Sequence, residues 1–156
     1  MSSDALYKIA YEEAVRALSE QQAAIESVRT RAGLLLSAAA VTTSFLGAQA
    51  LQSGSSTFFS WLALLAFVAV AATSLAILWP RRWEFTANSR EVIEGCIEFA
   101  EEIRVEDLHR ALSLCMQRSF SVNHRGLTEL AVLFQAASGL LTVEVVLWIA
   151  AIASDL

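Results

Sequence analysis

Proline is almost missing from the 156 residues. Pro80 is the only one, and with six glycines few positions interrupt a helix from within. Aromatic strand formers are few while Ala and Leu abound, which favours helix over sheet. There are two cysteines, Cys96 and Cys115, and their separation matches no zinc or redox spacing. Reduced thiols packed as small apolar side chains are the expectation. The two histidines, His109 and His124, are 15 positions apart, about four helical turns and roughly 60° out of register, so they share no metal. No glycine-rich phosphate loop and no serine in a nucleophile-elbow context occurs. The expectation is a chain without enzymatic activity and without a cofactor. The net charge of -5 supplies no basic face, which argues against DNA or RNA as a partner. Residues 1–31 are polar, with charge of both signs and no short apolar run. They do not read as a signal peptide, and insertion is expected through internal spans.

What the sequence has in excess is apolar length. Hydrophobic residues make up 56% and charged residues 17%, and the mean hydropathy is +0.52. Residues 32–51 (AGLLLSAAAVTTSFLGAQAL) and 58–79 (FFSWLALLAFVAVAATSLAILW) carry no ionisable group, and Pro80 ends the second run. A 20-residue helix rises about 30 Å, one hydrocarbon thickness. Residues 130–153 are long enough to span as well, but contain Glu144. Helices of a soluble bundle keep a polar stripe, and the first two runs have none. The fold class expected is all-α, an integral membrane protein with three transmembrane helices and a small cytoplasmic helical bundle.

Charge sets the orientation. Four of the 11 Lys and Arg residues lie in residues 1–31 and seven in 81–129, and none lies elsewhere. The positive-inside rule then puts an N-terminal amphipathic helix (1–31) and a helical block (80–129) in the cytoplasm. The turn at 52–57 and the C-terminal residues 154–156 lie outside. Phe58, Phe59, Trp61, Trp79, Trp83 and Trp148 fall near the expected interfaces, as an anchoring belt would.

Tyr7, Tyr11, Ala14, Leu18, Gln21, Ile25, Val28, Ala32 and Leu35 alternate spacings of four and three. This 3.5-residue, coiled-coil-like seam runs through the membrane boundary, so one continuous helix of about 45 residues is expected. The seam packs either on this chain's own cytoplasmic helices or on a second copy. In the later block, Asn88 with Glu91 forms a capping box ahead of an apolar stripe from Val92 to Ile103. A second stripe follows at Leu108, Ala111, Leu112, Cys115 and Ser119. The register shifts between Arg104 and Asp107, so two helices or one kinked helix are expected. The later stripe can continue through Asn123 and Gly126 into the third span. The acidic residues Glu94, Glu98, Glu101, Glu102, Glu106 and Asp107 read as solvated partners of Arg90, Arg104 and Arg110.

Glu144 is the one charge at membrane depth, where insertion costs about 2.5–3.5 kcal/mol. It is expected to be a protonated acid bonded to Ser37, Thr42, Thr43 or Ser44, a residue of an oligomer interface or aqueous path, or a side chain snorkelling outward. It shares a helix face with Ala137, Leu140, Leu141, Trp148 and Ala151. Gln135, nine residues back, points about 180° away, so one of the two can face the chain and the other a neighbouring subunit. In the first span Ala39, Thr43 and Gly47, and beside them Ala40, Ser44 and Ala48, repeat at intervals of four. Such faces permit close helix approach, here expected within the hairpin of spans one and two.

The order of parts carries a resemblance. Ser27-Val28-Arg29-Thr30-Arg31-Ala32-Gly33 closes the first helix, a two-span hairpin exits at Pro80-Arg81-Arg82-Trp83, and Asn123-His124-Arg125 leads into a last span. This layout resembles the small bacterial transmembrane effectors of antiphage signalling, of the SLATT and Pycsar types. The resemblance implies a bacterial inner-membrane protein that oligomerises on a nucleotide signal and impairs the membrane. Arg29 and Arg31 would then be a membrane-proximal region, or simply positive-inside anchors. Arg81, Arg82, Arg104, Arg110, Arg118 and Arg125 would include contacts to a phosphate of a cyclic nucleotide. Two other functions stay open: a membrane anchor docking a cytoplasmic protein partner, and a small channel or transporter component with Glu144 on its path. The bilayer is a partner in all three, and a homo-oligomer is expected.

Overall fold

The computed structural model describes residues 3–52, 58–81, 83 and 105–154. Among them the chain is all-helical: α1 (Ser3–Gln52), α2 (Phe58–Leu78) and α3 (Val105–Ala153). Each is long and apolar enough to cross a membrane. By that measure the chain is a multi-pass membrane protein. The capping box at Asn88, the stripe from Val92 to Ile103, the acidic run 94–102, Cys96, Arg82, Arg90, Arg104 and the turn at 53–57 lie outside the described residues.

α1 is a single helix of 50 residues, about 75 Å long. No proline occurs in it, and its first glycine is Gly33. α2 stops at Leu78, one residue short of the expected end. Trp79 still donates its backbone N–H to the Leu75 carbonyl (2.9 Å), but Pro80 has no N–H to continue the ladder and disfavours helical geometry at Trp79. α3 runs 49 residues without a break. The second stripe therefore continues straight into the third span, and residues 105–107 belong to the start of this one helix.

Two compact units divide the chain: Met1–Glu26 with Arg81–Thr128, and Ser27–Pro80 with Glu129–Leu156. The divisions fall close to the changes from polar to apolar sequence.

In the first unit the α1 seam is the buried face. Leu18, Gln21 and Ile25 are buried, Tyr7, Tyr11 and Ala14 half-buried, and the positions between mostly exposed. α3 is what covers it: Tyr11 stacks on His109 with ring centroids 5.6 Å apart, and Gln21 Nε2 donates to the Phe120 carbonyl at 3.2 Å. Ser119 and Asn123 are buried beside them, so this interface is polar at its centre. Lys8–Glu12 and Arg16–Glu20 are exposed i,i+4 pairs of small energetic weight.

Trp83 lies against α3 at Gly126, where a Cβ would stand 2.8 Å from Cη2 and Cζ3 of the indole. Gly126→Ala is expected to push the ring off the helix at a cost of about 1–3 kcal/mol. The change would be read as a red shift of Trp83 emission together with a lower Tm. An unshifted spectrum would count against this contact.

The second unit packs the remaining parts of α1 and α3 with all of α2. Its core is built from small residues: Ala32, Ala39, Ala50, Ala63, Ala66, Ala137 and Ala151 are buried, with Val70, Ile77, Leu130 and Trp148 the larger members. Lipid gives helices no hydrophobic reason to associate, so contact depends on close backbone approach, which alanine permits. Leu34, Phe45, Leu65, Val68, Val132 and Val146 are exposed on the outside of the unit, as side chains facing hydrocarbon would be. Ser37, Ser44, Thr73, Ser138 and Thr142 turn their hydroxyls back to carbonyls of their own helices. Each of these five hydroxyls is thereby satisfied within its own helix.

Candidate functional site

The polar centre of the second unit is Glu144. Its side chain is 0% exposed. Thr43 Oγ1 of α1 donates to Glu144 Oε1 at 2.5 Å. One turn further on, Trp148 of α3 turns its indole toward the same carboxyl, and the two interact without reaching full hydrogen-bond geometry. Glu144 Oε2 and Trp148 Nε1 thus stay buried without a hydrogen-bond partner among the described residues. Ser74 Oγ, buried in α2, is in the same position.

The spacing along two parallel helices produces this site. Residues 144, 148 and 151 share one face of α3, and 43, 47 and 50 share one face of α1. Thr43 meets Glu144 at a sequence separation of 101, and the same offset sets Gly47 against Trp148. Ala50 and Ala151 close the row, and Ala63 of α2 completes a cluster around the indole. Gly47 is where close approach is needed: a Cβ there would lie 3.2 Å from Trp148 Cη2.

Of the readings open for Glu144, hydrogen bonding to a span-one hydroxyl matches the geometry, with Thr43 as the partner. Full burial is incompatible with snorkelling to an interface. Ala39 and Gly47 are buried and Thr43 half-buried, and Thr43 and Gly47 meet α3, whereas the sequence suggested closeness within the hairpin of α1 and α2. The neighbouring row Ala40, Ser44 and Ala48 is exposed. Trp148 also corrects an expectation: it belongs to the core at 5% exposure, not to an interfacial belt, while Phe58, Trp61 and Trp79 are exposed. Its spacing of four from Glu144 was the available signal.

Gln135 is exposed and has no hydrogen-bond partner among the described residues, on the face of α3 opposite Glu144. The described basic residues differ in burial. Arg29 is half-buried with Nε unpartnered among the described residues, Arg81 is half-buried and engaged within the chain, and Arg31, Arg110, Arg118 and Arg125 are exposed. Cys115 is a half-buried free thiol. No group of three or more His, Cys, Asp or Glu lies together among the described residues. Compared with known proteins the chain finds no match, whether among family models, curated proteins or solved structures.

Proposed function

We propose that the chain is a non-enzymatic membrane protein that self-associates in the bilayer through the Gln135 face of α3 and acts by impairing the membrane. The observation that carries this reading is an amide side chain about 8 Å inside an apolar span, pointing out of its own chain. Its donors and acceptors meet no water in hydrocarbon, and a second Gln135 is a partner of matching chemistry. The resemblance to the small transmembrane effectors of antiphage signalling fits this reading, and with it a bacterial inner membrane, a nucleotide trigger and basic residues of the cytoplasmic block as contacts. The distribution of Lys and Arg supports an N-terminus inside, a C-terminus outside and a cytoplasmic helical bundle in the first unit.

One observation favours a second reading, an anchor that docks a cytoplasmic protein. Leu6, Ile9, Leu114 and Val122 of the first unit are exposed apolar side chains. The channel reading has less support, because Glu144 is enclosed by its own chain.

Gln135→Leu separates these. In nanodiscs the variant is expected to self-associate about 5–30-fold more weakly, the equivalent of about 1–2 kcal/mol for one interhelical polar contact. Growth arrest and dye entry on overexpression are expected to fall with it. A wild-type chain that stays monomeric at every lipid ratio would remove the self-association reading and leave the anchor.

A further inference from the structure

On the second unit a groove of about 410 Å³ opens between α1 and α2. Thr43, Ser44, Gly47 and Ala48 form one wall, Ser60, Trp61 and Leu64 the other, and Trp148 of α3 the floor. We propose that this groove seats one acyl chain of a bilayer phospholipid, drawn from the leaflet on the side where α1 ends and α2 begins.

Depth is the first reason. Helix α1 ends at Gln52 and α2 begins at Phe58. At about 1.5 Å per residue the groove runs from roughly 3 Å inside α2, at Ser60, to roughly 14 Å inside α1, at Thr43. That is one leaflet of a hydrocarbon core about 30 Å thick, the length a single tail covers from interface to midplane. The second reason is that the lining presents an occupant no open polar group: its hydroxyls are engaged, and Trp148 Nε1, though unpartnered among the described residues, is buried. Thr43 donates to Glu144, Ser44 to the Ala40 carbonyl at 2.7 Å, and Ser60 is also engaged within the chain. Two hydroxyl protons are thereby withdrawn and Ser60 is engaged as well, and most of what remains is methyl, methylene and indole surface, suited to hydrocarbon and not to a headgroup.

Width is the third reason. A docking helix about 10 Å across needs its partner's small residues to stand clear. Here Trp61, 66% exposed, stands on the wall facing Ala48, and Phe45, 72% exposed, lies three residues before Ala48 and so on the adjoining side of α1. Those rings hold a second helix off the floor, while a tail one methylene wide passes between them. Filling the groove gives the Trp148 ring edge dispersion partners that it otherwise lacks on that side.

The test uses the full chain with Trp148 as its sole tryptophan (Trp61→Phe, Trp79→Phe, Trp83→Phe), reconstituted in phosphatidylcholine vesicles with plain or brominated acyl chains. Bromine quenches indole emission at contact. Although Trp148 is almost wholly buried, its emission in brominated vesicles should fall to the level of a Trp61-only chain. Ala48→Phe, a change at an exposed position that fills the groove, should restore it. Equal emission in plain and brominated lipid overturns the proposal. So does quenching that Ala48→Phe leaves unchanged, because the tail would then reach the indole by another way. Quenching that vanishes at high protein density, with Ala48→Cys forming disulfides between copies, makes a second chain the occupant and overturns it too. The proposal needs only the membrane-spanning reading, so repeating the measurement with Gln135→Leu separates its failure from that of self-association.

Discussion

Trp148→Ala is expected to cost the second unit about 3–5 kcal/mol, the largest loss from any single truncation in it. The indole is the one large buried side chain in a cluster with Ala50, Ala63 and Ala151, with Gly47 directly under its ring and the partly buried Leu46, Leu147 and Ile152 packed against the cluster. Alanine and glycine have no rotamers with which to reach into the vacated space, and Leu46, Leu147 and Ile152 at the cluster's margin fill only part of it, so much of the cavity term remains. Trp148→Phe keeps most of the ring contact and should cost much less. A compensating pair makes the prediction sharper. Gly47→Leu alone overpacks against the indole at a cost of about 1–3 kcal/mol. Placed in the Trp148→Ala background, the same leucine fills the hole and should recover part of the loss. Denaturation in mixed micelles of the four proteins reads the cycle. Additivity of the two changes within about 0.5 kcal/mol would show that Gly47 and Trp148 do not share this space.

The same cluster shows how far the sequence could be read. Two of the three apolar helices were legible because a 20-residue run without an ionisable group has few other uses, and the third by its apolar length in spite of Glu144. The face of α1 that is buried was legible for a related reason: a 3.5-residue repeat persists through residues that differ in polarity, so Gln21 keeps its place between Leu18 and Ile25. What a periodicity does not contain is the partner. The row Ala39, Thr43, Gly47 announces close approach but not by which helix. The pairing with α3 joins residues 101 apart in the sequence, which no local pattern encodes. Trp148 was misplaced because a tryptophan near the end of a span fits an interfacial belt by depth alone. Depth says nothing about azimuth. The azimuth was available from Glu144: once a carboxyl at membrane depth turns inward, the residue four positions on turns inward with it. Gln135 illustrates the converse, since half a turn from an inward residue is outward, and it is exposed.

Glu144 itself separates shape from acidity, and the second large effect follows from that. Glu144→Ala removes a wholly buried side chain of about leucine length and is expected to cost about 2–5 kcal/mol. Little of this loss belongs to the hydrogen bond. Without its acceptor, the Thr43 hydroxyl can turn to the Ala39 carbonyl four residues back, as Ser44 does with Ala40 and Ser37 with Gly33. Interhelical polar contacts of this kind in lipid average about 0.6 kcal/mol. Glu144→Gln keeps the volume and an acceptor for Thr43, so it should stay within about 1 kcal/mol of the parent, and Thr43→Val should do the same. Thermal denaturation in mild detergent ranks the three, with Ala far below Gln and Val. If Gln instead falls as far as Ala, the site requires an ionisable acid and not merely a filled space. A carboxyl needed for its proton in the centre of a span is what an aqueous or ion path would ask for. That single inversion of rank would move Glu144 from the packing of the second unit to the centre of the function.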